Sequence, residues 1–246
     1  MLNELLEQLP QNAKALDYGC FGWKLITLSH PRNDIEHHGC DIKPPVYIPA
    51  NAKFHAVDRT KRTIPIEDDT FDLVVASHVL EHVTDPLDLF CELVRVCKPG
   101  GKIYIETPSD RSLNIKSSNR PDSHAFFSFW DDPTHIRPWP PAALYRLAVS
   151  YGCTPLHCQY ITNLRDKFLF PFRYCYYALR RDPYKIAQIM KTVIGWECFL
   201  IAQKPLDVKG APAYCYAYLR DVPPGAENAM KFYKQNLSAD SQFPKS

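Results

Sequence analysis

Phe71-Asp72-Leu73-Val74-Val75-Ala76-Ser77, running on into His78-Val79-Leu80-Glu81-His82-Val83, decides the fold. The run Leu73–Ala76 is continuously apolar and centred on β-branched residues, the composition of a parallel strand covered on both faces. Downstream, residues 86–97 (PLDLFCELVRVC) place apolar side chains at 87, 89, 90, 93, 94 and 97, which is a helical period. Pro86 suits the first turn of that helix, and Lys98-Pro99-Gly100-Gly101 stops it. Residues 102–107 (KIYIET) read as the next strand. Upstream, 14–19 (KALDYG), 35–41 (IEHHGCD) and 53–58 (KFHAVD) are further strand candidates, with short helices at 2–9 and 22–29. Strands alternating with helices predict an α/β fold with a doubly wound, mostly parallel sheet and helices on both faces.

Beyond Pro108 the pattern changes. Residues 109–141 are rich in Ser, Asn, Asp and Pro without a clear period, yet Phe126, Phe127, Phe129, Trp130 and Trp139 argue against disorder. A helix over 141–151, ended by Gly152, and strands at 154–162 and 196–203 bring the count to seven strands. Between those two strands lies an aromatic, basic insert, 164–194. The spacing predicts a main domain over 1–205 that includes this insert, and a C-terminal appendage over 206–246, where Gly and Pro punctuation gives way to a polar tail.

Composition narrows the function. The chain has 246 residues, is 46% hydrophobic and carries a formal net charge of +2. That balance argues against a nucleic-acid partner, which calls for a basic surplus or stripe. The nine cysteines follow no C-x-x-C spacing, so neither a zinc ribbon nor a disulfide scaffold is expected, and reduced thiols in a cytoplasmic protein are the plain reading. The first twelve residues lack the basic run of a signal peptide, and no stretch approaches the roughly 20 apolar residues of a membrane span.

The turn Asp17-Tyr18-Gly19-Cys20-Phe21-Gly22 joins the first strand to a helix, where glycines let a ligand approach the backbone. Taken alone it reads equally as an ordinary strand-to-helix turn. Asp41 ends the next strand candidate, where an acid can accept both ribose hydroxyls of an adenosine ligand, and Asp58 ends the third, where it can accept from an adenine amino group. Three acids in order at carboxyl ends of parallel strands, with Ser77 at a fourth, outline one ligand crevice.

The stretch IPIEDDTFDLVVASHVLEHVTDPLDLFCELVRVCKPGGKIYIETPS resembles the central signature of class I, Rossmann-like S-adenosylmethionine-dependent methyltransferases. The resemblance is strong over about 14–108 and looser over 124–203. It implies that S-adenosylmethionine is the cofactor. Asp17, Tyr18, Gly19, Cys20, Phe21 and Gly22 would then hold its methionine end, and Asp41 the ribose. Asp58 would bind the adenine amino group, with Ile42 and Arg59 flanking the base, and Ser77, His78 and His82 would line the sulfonium region. One departure stands out: relatives read G-C-G-x-G, whereas Phe21 and Trp23 occupy the second and third glycine positions here, leaving Gly22 to supply the missing freedom.

Asp132-Pro133-Thr134-His135-Ile136-Arg137-Pro138 is similar to a segment of small-molecule and sugar methyltransferases of this type. The resemblance points to a small-molecule or sugar acceptor methylated on oxygen, with an amine nitrogen as the alternative and a cofactor-free relative of the same fold as the non-catalytic one. An in-line methyl transfer mainly needs an aligned acceptor and removal of a hydroxyl proton. His135 is the expected general base, His124 its competitor, and Arg137, Trp130 and Trp139 the expected acceptor contacts; pinning of the loop is the plainer role for His135 and Arg137. His78-Val79-Leu80-Glu81-His82 is also a literal H-x-x-E-H, which on a helix would set two histidines on one face for zinc. Glu81 and His82 lack a second carboxylate nearby, so no metal is expected. The insert 164–194 reads as a lid over the acceptor, as a homodimer interface, or as a membrane-surface patch.

Overall fold

The computed structural model describes residues 1–29, 32–58, 63–116 and 127–210. Its elements run α1 (Leu2–Glu7), β1 (Lys14–Tyr18), α2 (Lys24–Ser29), β2 (Glu36–Asp41), β3 (Ala52–Ala56), β4 (Phe71–Ser77), α3 (Pro86–Val96), β5 (Cys97–Pro108), α4 (Pro141–Ser150), β6 (Thr154–Tyr160), α5 (Leu164–Leu179), α6 (Pro183–Ile194) and β7 (Glu197–Gln203). One seven-stranded sheet forms in the order β3-β2-β1-β4-β5-β7-β6. Neighbours from β3 to β5 pair parallel, and β7 runs antiparallel to both β5 and β6.

The apolar run of β4 is explained by its central place. Val74 and Ala76 point into the core shared with α3 and α4, while Leu73 and Val75 point to the opposite face, against Leu5, Leu6 and Leu25 of α1 and α2. A strand with helices on both sides has no polar face to show, so its pattern is continuous. Helix α3 begins with Pro86 and buries Leu89, Phe90, Leu93 and Val94. Strand β5 starts five residues before the predicted 102, because Cys97 already pairs with Phe71 and the register shifts before Leu73 meets Lys102. Gly101 is needed at this irregularity: a Cβ there would stand 2.9 Å from the Lys98 carbonyl and 3.1 Å from that of Phe71.

The insert folds as two helices. α5 buries none of its side chains, and Leu164, Phe168 and Phe172 are exposed. It is tied to α6 through Asp166, which accepts from Thr192 Oγ1 at 2.9 Å and pairs with Arg173 at 2.6 Å. α6 packs Ile194, Met190 and Ala187 on Phe127 and Trp196. Past β7, the fully buried Lys204 ammonium bonds Asp69 at 2.6 Å and the carbonyls of Val94 and Cys97. Gly210 donates its amide to the same Asp69. Among the described residues no helix is long and apolar enough to cross a membrane.

Candidate active site

In an open parallel sheet, ligands bind beyond the carboxyl ends of the strands. Two cavities open there, and His78 and His82 line both. The first, about 480 Å³, lies over the ends of β1, β2 and β4 between Gly19, Asp41, Ile42, Val57, Val83 and Leu89. Its size falls in the roughly 300–1,000 Å³ range of small-molecule and cofactor sites.

The β1–α2 turn departs from the expected glycine pattern in an instructive way. Gly19 is left-handed at φ +82°, and a Cβ there would fall 2.5 Å from Val79 Cγ2. Gly22, by contrast, has no positive φ and open space where a Cβ would stand, so it does not supply the missing freedom. That role falls to Trp23, at φ +47°, in the third-glycine position. Its ring is buried against Gly39, and its Nε1 donates to the Tyr47 carbonyl at 2.7 Å. Indole packing there holds a backbone conformation that costs a non-glycine residue about 1–3 kcal/mol. Phe21 stands 77% exposed at the cavity rim. Tyr18 lines the cavity, while the Cys20 side chain is fully buried against Gly39. The Gly19 and Cys20 amides both face the Cys40 carbonyl, at 2.8 and 3.4 Å.

The acids are not equivalent. Asp41 lies half-buried at the end of β2, and its Oδ1 takes a long 3.4 Å bond from the Lys43 amide. Asp17 is only 3% exposed and lies beneath the cavity rather than in its lining. Burial pushes its carboxyl up to about 6, against the Leu25 amide and the nearby Lys24 charge. Asp58, expected to end a strand, lies two residues beyond β3 and is exposed, whereas Val57 faces the cavity. Arg59 and His124 lie outside the described residues.

At the end of β4, Ser77 and Glu106 both bond Lys24 Nζ, at 3.0 and 2.7 Å. His78 takes a left-handed φ of +55° that turns its ring toward Glu81, Glu106 and Glu197, 3.3–3.5 Å away. Burial opposes a charge on His78, but the three carboxylates close to it outweigh burial and push the imidazole up to about 11. Residues 78–82 do not form the α-helix that a zinc-protease reading requires. A single 3-10 turn, Leu80–His82, follows instead.

The second cavity, about 800 Å³, is bounded on one side by Glu81, His82 and His135 and on the other by Tyr184 and Gln188 of α6 and by Trp196. His135 stacks on Phe129 and hands its Nδ1 proton to the Phe129 carbonyl at 2.6 Å, which leaves Nε2 with a lone pair. Arg137 donates to the Thr84 carbonyl at 3.0 Å and is absent from both cavity linings. Trp139 is buried in the core beside α4, and Trp130 is exposed edge-on to Phe129; neither lines the cavity. Spacing alone could not have found Gln188, Tyr184 or the Lys24–Glu106 pair: Tyr184 and Gln188 lie about 50 residues from His135, and Lys24 and Glu106 lie 82 apart. The H-x-x-E-H stretch did flag Glu81 and His82, and what it lacked was His135, which the fold brings to them.

The sheet order, with two neighbouring cavities at the carboxyl edge, defines a class I S-adenosylmethionine-dependent methyltransferase domain. Residues 1–158 match the Methyltransf_23 model, described as a methyltransferase domain, and the chain belongs to that family. Over 122 residues it is 33% identical to the malonyl-[acyl-carrier protein] O-methyltransferase of Marinomonas sp. (strain MWYL1), covering 46% of this chain and 45% of that protein. Over 129 residues it is 33% identical to the ubiquinone biosynthesis O-methyltransferase of Vibrio parahaemolyticus, covering 47% and 52%. The chain thus spans about half the length of the curated relatives it matches. The structure of phosphoethanolamine N-methyltransferase 2 of Haemonchus contortus with S-adenosyl-L-methionine superposes with a TM-score of 0.56, at 15% identity, over 82% of this chain and 52% of that one; at such identity the likeness is one of fold. The first cavity fits the cofactor of this class: Asp41 offers carboxylate lone pairs to hydroxyl donors, and Ile42, Val57 and Leu89 offer an apolar wall to a base.

Proposed function

We propose that this chain transfers a methyl group from S-adenosylmethionine to an oxygen of a small hydroxylated acceptor, a sugar among the candidates, held in the 800 Å³ cavity. The carrying observation is that His78 and His82 line both cavities, with the Nε2 lone pair of His135 in the wall of the larger one. The cofactor, when bound, supplies a methyl carbon already activated by its sulfonium. The chain's own task is then alignment and care of the hydroxyl proton. Asp41 and the apolar wall fix the adenosyl end. His135, held by Phe129, presents an acceptor atom to the hydroxyl, and α6 encloses the acceptor. The names of the curated O-methyltransferase relatives support oxygen.

Glu197 and Asp132 on the cavity wall favour the second reading, an amine acceptor drawn by negative charge. The exposed Leu164, Phe168 and Phe172 of α5 support a contact with a second copy of the chain. The unpaired cysteines among the described residues support a reducing, cytoplasmic setting. Incubation with methyl-labelled S-adenosylmethionine and matched panels of hydroxylated and amine acceptors, read by mass spectrometry, tests the main reading. An O-methyl product is expected; label only on nitrogen overturns it.

A further inference from the structure

Protons around Glu81 can be placed one by one. Thr134 Oγ1 lies 2.5 Å from the carboxylate Oδ1 of Asp132, a contact that requires the hydroxyl proton between them. Thr134 Oγ1 therefore accepts from His82 Nδ1, 2.9 Å away, so His82 carries its proton on Nδ1 and leaves Nε2 bare. His135 Nδ1 faces a carbonyl, which can only accept, so its Nε2 is bare as well. Glu81 is fully buried; its Oε2 accepts from Thr107 Oγ1 at 2.9 Å, while its Oε1 has no hydrogen-bond partner. One ligand atom from each of Glu81, His82 and His135 lies within 4.8 Å of the others, and Glu81 Oε1 stands 3.9 Å from His82 Nε2. The nearest proton donor is His78 Nδ1, 3.3 Å from Oε1 but outside hydrogen-bond geometry, in a ring that also serves Glu106 and Glu197. Asp132 Oδ2, at 3.8 Å from His135 Nε2, adds a further acceptor and no donor.

Three acceptor atoms thus converge on the cavity wall, and the one donor near them, His78 Nδ1, lies outside hydrogen-bond geometry, an arrangement that a cation at its centre relieves. We propose that Glu81, His82 and His135 bind one divalent metal ion of the zinc class, with an open position toward the acceptor cavity. Two imidazoles and a carboxylate suit zinc and its first-row neighbours better than magnesium or calcium, which favour all-oxygen sites. Each ligand is already fixed from behind: His135 by the Phe129 carbonyl, His82 by Thr134 and Asp132, and Glu81 by Thr107. Such outer partners orient the ligands of metal sites. Bonds of about 2.1 Å at tetrahedral angles need donors about 3.4 Å apart. Glu81 Oε1 and His82 Nε2 stand 3.9 Å apart, so a small rotation of a half-exposed imidazole closes the site. The proposal rests on the second cavity being the acceptor site, because a cation there offers a Lewis acid to an acceptor oxygen. With the ion bound, His135 Nε2 is a ligand and no longer the proton acceptor; the cation would instead acidify the acceptor hydroxyl, whose proton passes to solvent.

The full chain, stripped with chelator and titrated with Co²⁺ in the absence of acceptor, tests this by visible absorption. One equivalent of Co²⁺ with d–d bands, displaced by Zn²⁺, is expected. Glu81→Gln and His135→Ala should weaken binding by at least about 10- to 100-fold. Because both positions are closely packed, His82→Ala, at the more exposed ring, provides the variant that keeps its fold, verified by circular dichroism. Absence of Co²⁺ uptake by folded wild type overturns the site, as does wild-type affinity in the folded His82→Ala variant. Weakening by His78→Gln with none by His82→Ala also overturns it, by moving the ion to Glu106 and Glu197. Product analysis separates the two proposals: O-methylation by a chain that takes up no metal removes the metal site alone, and Co²⁺ binding by a chain that methylates only amines removes the oxygen reading alone.

Discussion

Replacing Asp41 by alanine should weaken binding of S-adenosylhomocysteine 5- to 150-fold, about 1–3 kcal/mol. The magnitude comes from what the side chain does now. Asp41 sits at the carboxyl end of β2, in the lining of the smaller cavity, and its Oδ1 receives a 3.4 Å bond from the Lys43 amide. That contact is too long to satisfy a carboxylate, so its remaining lone pairs are available to ribose hydroxyls. A hydrogen bond to a charged group contributes about 1.5–3 kcal/mol, and partial exposure lowers the total for two such bonds into the range given. Stability of the ligand-free protein should change by less than about 0.5 kcal/mol, because little in the fold depends on this carboxylate. Titration calorimetry measures the affinity and a urea melt the stability. Asp41→Asn, which keeps one acceptor oxygen, should fall between wild type and alanine. An alanine variant that folds normally and binds within twofold of wild type would show that the ribose lies elsewhere, and the assignment of the cavity would fail with it.

Three further outcomes follow from the same structure. Lys204→Met leaves Asp69 without its 2.6 Å partner and should cost about 3 kcal/mol, read as a lower urea midpoint with an unchanged slope. Asp17 has a folded-state pKa raised from 3.8 to about 6 by burial, so its contribution is most favourable below about pH 4 and is lost as pH rises through 6. Asp17→Asn should therefore raise stability at pH 8 by up to about 3 kcal/mol, with the gain vanishing near pH 4 in thermal melts. Gln188→Trp places an indole in the acceptor cavity and should raise the acceptor KM roughly tenfold while leaving S-adenosylhomocysteine affinity within about twofold.

The sequence was most legible where local pattern and tertiary place agree. FDLVVAS was predicted at 71–77 and is β4 over the same residues, because a strand buried on both faces leaves an unmistakable apolar run. The ends of β3 and β5 were less legible. Ladder pairing, which a single strand does not encode, stops β3 at Ala56 and starts β5 at Cys97. At the β1–α2 turn, counting glycines misplaced the flexible residue, since only tertiary packing of an indole holds Trp23 left-handed. The candidate site was legible in parts but not in its assembly. Glu81 and His82 could be marked from their motif, yet their third neighbour lies 53 residues beyond His82 and arrives only when the 127–137 segment folds back onto the end of β4. Trp139 and Arg137 were drawn to the acceptor by proximity in sequence to His135. The fold instead packs Trp139 into the core and ties Arg137 to the Thr84 carbonyl.

The reversed direction of β7 carries a consequence for change by insertion. Because β7 runs against β5 and β6, Tyr160 at the end of β6 pairs with Cys198 near the start of β7, and Glu197 lies beside Pro108 at the carboxyl edge. Residues 161–196 therefore leave the sheet and return to it at the same rim, directly over the larger cavity. Whatever chain is spliced between those two strands, short or long, is delivered to the rim of the larger cavity. The strands that hold Asp41 and Gly19 lie on the far side of β4 and are untouched by such an exchange. The molecule is in this sense a fixed socket with an exchangeable faceplate: a swap of α5 and α6 remakes one wall of the larger cavity and leaves the strands that hold Asp41 and Gly19 as they are.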